Sequence, residues 1–319
     1  MDQHVHQATV AVIHHGFRPY LATVLEHSRQ NGNYTCLIGS EPRLKALCDD
    51  FLVDDDIQLP KYEAFEKTYQ HMSSNPQPFE LLCFKRFYLL QHLVHQKNLD
   101  HVWMIDSDVL LMENLSEFTQ YFLSNQYDVS LSTRIQDFPL EFDSCTHCSF
   151  WTRDALDDFV SFIDNFYHCE ITPLLYQKYE YHVKHHIDGG VCDMTALHLW
   201  QKSTSFKVFN SANSYQHGLP FIDHNMHFGR NYDVEDFYIA PRINIKHIEH
   251  QAIEQKDRKI KKVAVRTKSG KVYPVIALHF SGKSKKYLPM FCETYRIDAM
   301  SYWTYQYYKY FFKVKALFQ

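Results

Sequence analysis

Two aspartates one residue apart, Asp106-Ser107-Asp108, follow the apolar run His101-Val102-Trp103-Met104-Ile105 and precede Val109-Leu110-Leu111. At a strand end, carboxylates with this spacing converge on one point and suit a hard divalent cation that prefers oxygen donors. So short a triplet also ends many strands as an ordinary polar turn, and both readings stand. A second stretch, His279-Phe280-Ser281-Gly282-Lys283-Ser284-Lys285-Lys286, directly follows the run Val272 to Leu278. Here an imidazole is available to complete a metal site. Ser281 and the Gly282 backbone suit phosphate oxygens, and Lys283 offers a compact positive charge. A basic surface turn is the plainer alternative.

Taken together, the two stretches describe one chemistry. A cation held by Asp106, Asp108 and His279 would bridge a diphosphate, and Lys283 would neutralise the charge that the diphosphate gains on leaving. Breaking a glycosyl–diphosphate bond needs this help; a magnesium-dependent hydrolase would use the same groups. Cys145 and Cys148 have the spacing of half a zinc site with no second pair to complete it, so the eight cysteines read as reduced thiols. Asp193, before a helix, reads as a cap or a weaker catalytic candidate, and Asp223 as a sugar or acceptor contact on an exposed loop.

Elements that position these residues are visible in the apolar pattern. Thr9 to Ile13 reads as a buried strand, Pro19 opens a helix through Tyr20, Leu21, Val24, Leu25 and His27, and Tyr34 to Gly39 is a second strand. Strand, helix and strand in this order open an α/β fold with a parallel sheet. Phe79, Cys83, Phe87, Leu90 and Val94 form the stripe of an amphipathic helix that also carries Lys85 and Arg86. Further helices are expected over 153–167 and 194–200. Strands are expected at 263–267 and 272–278 around a Lys268-Ser269-Gly270-Lys271 turn, and the basic run 256–262 reads as a solvated loop. With no repeat and no long linker, residues 1–290 form one catalytic domain and 291–319 an extension.

Composition excludes several classes. The chain has 319 residues, 33 Lys plus Arg against 37 Asp plus Glu, and a net charge of −4, which argues against a nucleic-acid binder with a broad basic surface. With 45% hydrophobic and 22% charged residues it is globular rather than disordered. No apolar run is long enough to span a bilayer, and the start Met1-Asp2-Gln3-His4 lacks a secretory leader pattern, so the expected location is the cytoplasm. The aromatic, lysine-interleaved stretch from Tyr302 to Lys315 fits a docked terminal helix, an oligomer contact, or a peripheral contact with the inner face of the membrane.

The order of Val102 to Leu110, then Asp188-Gly189-Gly190-Val191, then His279 to Lys283 resembles GT-A-fold nucleotide-sugar glycosyltransferases. It is most similar to the retaining group that includes glycogenin and the bacterial lipopolysaccharide galactosyltransferases. The resemblance covers roughly residues 8 to 290 but rests on three short stretches. It implies a mainly parallel, helix-flanked α/β sheet and transfer of a sugar, with UDP as the nucleotide, to a glycan or glycolipid hydroxyl with retention. It also implies Mn2+, or Mg2+, on Asp106, Asp108 and His279. The diphosphate would meet Gly282 and Lys283, with Lys286 competing for the lysine role. The turn His14-His15-Gly16 would lie at the base and ribose, with His14 and Gly16 as contacts alongside Ser107. Arg86 first, and Lys85 second, would reach the nucleotide or diphosphate. Asp188 would be catalytic: it would orient sugar hydroxyls, stabilise an oxocarbenium-like centre, or act as base in an inverting reaction, while Gly189 lets backbone approach the sugar. A phosphoesterase, a nucleotide-sugar hydrolase and a non-catalytic nucleotide-sugar binder are the alternatives.

Overall fold

The computed structural model describes residues 7–134, 140–168, 170–232, 236–240, 244–255, 258–288 and 291. Strand β1 (Thr9–His14) leads through helix α1 (Pro19–Gln30) into β2 (Tyr34–Gly39), and the two strands pair in parallel from Thr9↔Tyr34 to His14↔Gly39. Pro19 stands in the first turn of α1, where its missing N–H leaves no bond unmade. β3 (Asp50–Val53) adds in parallel to β2; α2 (Pro60–Thr68) and α3 (Gln77–Gln96) then lead to β4 (His101–Ile105), parallel to β1. Successive side chains leave opposite faces. Val10, Val12, Trp103 and Ile105 therefore enter one core, while Ala11, Ile38, Val102 and Met104 enter another. Both faces are covered, which is why these strands are apolar throughout instead of alternating.

After β4 come β5 (Val109–Leu111), α4 (Ser116–Ser124), β6 (Val129–Thr133), β7 (Ser144–Cys145) and β8 (Cys148–Thr152). Helices α5 (Arg153–Asp164), α6 (Thr172–His185) and α7 (Asp193–Ser203) precede β9 (Val208–Asn210). The larger sheet runs β3-β2-β1-β4-β8-β6-β7, with β9 beside β6 and β8 antiparallel to β4. Phe87 of α3, Phe159 of α5 and Trp200 of α7 pack around Trp151 on one face; Leu21 and Val24 of α1 and Phe118 and Phe122 of α4 cover the other.

A smaller sheet follows from β10 (Phe221–Ile222), β13 (Ile248–Gln255), β14 (Arg258–Arg266) and β15 (Val272–His279), with β11 (Ile239–Ala240) and β12 (Ile245–Lys246) as a separate short pair. Its order is β10-β15-β14-β13, and β5 joins it on β15. The turn at Asp106-Ser107-Asp108 thus carries the chain from the larger sheet into the smaller one. β5 and β15 pair antiparallel, Leu111↔Ala277, Leu110↔Leu278 and Val109↔His279.

Some expectations need correction. The helix expected over 153–167 ends at Asp164, with Asn165 as its C-cap, and the one expected over 194–200 runs Asp193–Ser203. The described part of the basic run 256–262 is not a loop but the start of β14, paired with β13 from Gln255↔Arg258 onward. Cross-strand pairing outweighs the local charge, and Lys262 reaches Glu113 at 2.7 Å. The turn before β15 is where expected, with Gly270 at φ +88°. Phe291 packs against Phe280 in the first core. The stretch from Tyr302 to Lys315 lies outside the described residues. Among the described residues no helix is long and apolar enough to cross a membrane.

Candidate functional site

The end of β4 and the end of β15 are brought together by strand register. Asp106, just beyond β4, donates its amide to the carbonyl of His147 at 2.8 Å. The amide of Val109 returns to the Asp106 carbonyl at 3.0 Å, which tightens the turn, and Phe280 donates to the Asp108 carbonyl at 2.9 Å, extending the β5–β15 ladder. His279 therefore stands beside Asp108, with Nε2 3.5 Å from Oδ1. One ligand atom from each of Asp106, Asp108 and His279 lies within 4.8 Å of the other two. Asp108 and His279 are buried, whereas the Asp106 side chain is 29% exposed, so the cluster opens on that side.

A fixed surround aims these groups. His279 donates Nδ1–H to the His224 carbonyl and its backbone N–H to Asp223 Oδ2 at 3.1 Å, leaving Nε2 toward the carboxylates. Asp223 is fully buried and pairs with the equally buried Lys246, which also donates to the Asn225 carbonyl at 2.7 Å. His147 donates Nε2–H to the Asp223 carbonyl at 2.9 Å and stacks on His279, ring centroids 4.6 Å apart and 7° from parallel.

Charge is matched in pairs. Arg86 forks between Asp106 Oδ1 at 2.7 Å and Asp193 Oδ2 at 2.5 Å, and Lys285 Nζ lies 2.9 Å from Asp108 Oδ2. Burial would favour a neutral Asp108, but the hydrogen bond and charge of His279, with Lys285, hold its carboxyl well below the usual range. The same contacts raise His279 and Lys285 against the opposing effect of burial. Burial likewise works against the charge of Arg86 and is overcome by Asp193 and Asp106, while it pushes the Asp193 carboxyl up despite Arg86.

Asp106, Asp108 and His279 are thus adjacent, and Arg86 joins them. Lys85, one residue earlier on α3, turns away to the Tyr62 ring at 5.8 Å. His14, at the end of β1, has its pKa lowered by burial and by the nearby charges of Arg18 and Lys285; its Nε2 is buried without a hydrogen-bond partner. Gly16, at φ +81°, donates its amide to Ser40 Oγ at 2.8 Å, and Ser107 is half-buried at the turn. Gly282 and Lys283 are exposed. The lysine that contacts Asp108 is Lys285, because residues Gly282–Tyr287 coil into a 3-10 turn; its ammonium also sits 5.6 Å over the Tyr20 ring.

Asp188 is exposed, and among the described residues no hydrogen bond or ion pair ties it to the aspartate pair. Gly189 and Gly190 dock on residues 72–74 instead: the Gly189 amide donates to Ser74 Oγ at 2.8 Å and the Val191 amide to the Met72 carbonyl at 2.8 Å. Asp193, not Asp188, is linked to the cluster, through Arg86. Asp223 is corrected from an exposed sugar contact to a buried strut, because Lys246 and the His279 backbone take its carboxylate. Residue type does not single out Lys285, His147, His224 or Lys246, although Lys285 lies in the stretch after β15, His147 between Cys145 and Cys148, and His224 next to Asp223.

No family model and no curated protein matches the chain. Among solved structures it is similar to mouse xyloside xylosyltransferase 1 in its apo form, at 12% identity over 70% of this chain and 88% of that one, with a TM-score of 0.43. A glycosyltransferase involved in glycosylation of the major capsid of PBCV-1 matches at 9% identity, 64% and 83% coverage and a TM-score of 0.33. A mannosyltransferase from S. cerevisiae matches at 10% identity, 51% and 61% coverage and a TM-score of 0.33. All three are sugar transferases; similarities this distant assign neither a reaction nor a residue to the present chain.

Proposed function

We propose that this chain is a metal-dependent glycosyltransferase that moves a sugar from a nucleotide diphosphate sugar, with UDP as the nucleotide, to a hydroxyl of a glycan or glycolipid. The observation that supports it most is the meeting of Asp106, Asp108 and His279 within 4.8 Å beside two further cations, Arg86 and Lys285. The donor set fits the ion. Two carboxylates and an imidazole suit Mn2+ and admit Mg2+. The Nδ1–H bond to the His224 carbonyl leaves His279 Nε2 as the ligating nitrogen. When bound, the cation would neutralise negative charge on the diphosphate as the glycosyl bond breaks.

Lys285 holds a positive charge at the same place, and Lys283 with the Gly282 amide offers further contacts to the departing phosphates from the exposed turn. Arg86 orients Asp106. The base and ribose would occupy the turn at His14 and Gly16, near Tyr20. Asp188, exposed on the loop before α7, is proposed to orient the sugar or stabilise its anomeric centre, with retention of configuration taken from the family resemblance. A cytoplasmic site of action, with the segment from Tyr302 onward touching the membrane face, belongs to the same reading.

A thermal-shift screen of nucleotide sugars with and without Mn2+ tests it. A UDP-sugar should raise the melting temperature only when the metal is present, and Asp106→Asn with Asp108→Asn should abolish that shift while the far-UV spectrum is unchanged. Donor binding indifferent to both metal and variant would sink the proposal. Release of free sugar at full rate without acceptor would move the assignment to a hydrolase.

A further inference from the structure

Behind the aspartate turn lies a second group of metal-ligating side chains with a different chemical character. Cys145 closes β7, His147 lies in the two-residue turn before β8, and His224 follows β10. One ligand atom from each of the three lies within 4.8 Å of the others. We propose that Cys145, His147 and His224 bind a zinc-class cation, separate from any cation at Asp106, Asp108 and His279.

Three observations carry this. First, Cys145 Sγ is 3.2 Å from His147 Nδ1, a spacing two ligands of one small cation would have. Second, His147 gives its other ring proton, on Nε2, to the Asp223 carbonyl at 2.9 Å. That bond leaves the Nδ1 lone pair toward the sulfur, and a carbonyl behind the imidazole is the usual outer partner of a metal-bound histidine. Third, His224 Nδ1 is buried with no hydrogen-bond partner. A thiol–imidazole hydrogen bond would account for Cys145 and His147 alone, but not for this third nitrogen. The His224 ring is held in place by Tyr232, stacked at 3.8 Å, and meets His147 edge-on at 5.6 Å.

One sulfur and two nitrogens form a softer set than the oxygen-rich cluster next door, so it selects Zn2+ over Mn2+ or Mg2+. On binding, a metal–sulfur bond forms and the Cys145 thiol proton passes to solvent. Three protein ligands leave a fourth position for water. The site would brace the aspartate turn, because His147 accepts the Asp106 amide through its carbonyl and stacks on His279. This inference does not depend on sugar transfer.

The test uses the full chain purified without chelator. Elemental analysis should find stoichiometric zinc, and replacement with Co2+ should give a thiolate-to-cobalt charge-transfer band in the near ultraviolet. Cys145→Ser should lose both zinc and band, whereas Asp106→Asn with Asp108→Asn should keep them. Should Cys145→Ser fold poorly, His224→Gln at its half-buried position should still weaken zinc binding by about tenfold or more. The inference is overturned if no band forms with Co2+, if the band survives Cys145→Ser, or if zinc is lost with the aspartates and retained without Cys145.

Discussion

Arg86 is the residue that ties two stretches of sequence into one site. Its guanidinium bonds Asp106 of the aspartate turn and Asp193 of α7, and it is only 18% exposed. Arg86→Ala leaves Asp193 buried and unpaired, so urea unfolding should show a loss of about 3 kcal/mol. Arg86→Lys keeps the charge without the fork and should lose roughly half of that. Residue type suggested that Arg86 faces a charged group, yet placed that group on the ligand; the carboxylates it meets belong to the protein. Asp223 teaches the converse. In sequence it looks like any loop carboxylate, but it is fully buried against Lys246. Asp223→Asn should cost about 3–5 kcal/mol, since the buried Lys246 then loses its counterion, and Asp223→Asn with Lys246→Met should recover much of the loss. A double-mutant cycle in urea that showed simple additivity would contradict the pairing.

At the scale of elements, the site depends on where loops and strands touch. β5 and β15 meet with Val109 opposite His279, and this register, not any local motif, sets the imidazole beside Asp108. The loop before α7 is positioned by a close approach: a Cβ on Gly190, at φ +140°, would lie 2.4 Å from the Met72 carbonyl oxygen. Gly189, at φ +89°, has open space where a Cβ would go. Gly190→Ala should therefore lower stability by about 3 kcal/mol, through strain and clash together, and Gly189→Ala by only about 1 kcal/mol. Thermal denaturation of the two variants side by side reads the difference; equal shifts would mean that the loop does not dock on residues 72–74. The two glycines look alike in sequence, and only the neighbouring backbone separates them.

For the whole molecule, buried and half-buried histidines set the response to acid. Burial lowers the pKa of His14, His27, His101, His147 and His224, which fold in the neutral form. Unfolded, each titrates near 6.5, so below that pH the unfolded chain binds more protons and stability falls as pH falls. His279 acts in the opposite direction: its raised pKa stabilises the fold below 6.5, an effect lost as pH rises through the folded value. With five groups against one, metal-free protein should lose stability from about pH 6.5 downward in a urea series, and His27→Gln should flatten part of the slope. Stability that is level or rising through this window would show that these rings are not held neutral. The sequence alone determined the first two parallel strands and their helix, the amphipathic stripe of α3 and the last hairpin, because apolar periodicity acts over a few residues. It also singled out Asp106, Asp108 and His279, three side chains that the fold brings together. Tertiary structure decided that Lys285 rather than Lys283 meets Asp108, that Asp193 rather than Asp188 joins the cluster, and that Asp223 is buried. It also parted the two cysteines, sending Cys148 into the core with Trp103 and Cys145 toward His147 and His224. Those outcomes depend on strand register and on packing between positions from about twenty to well over a hundred residues apart, and a short window of sequence carries no information about either.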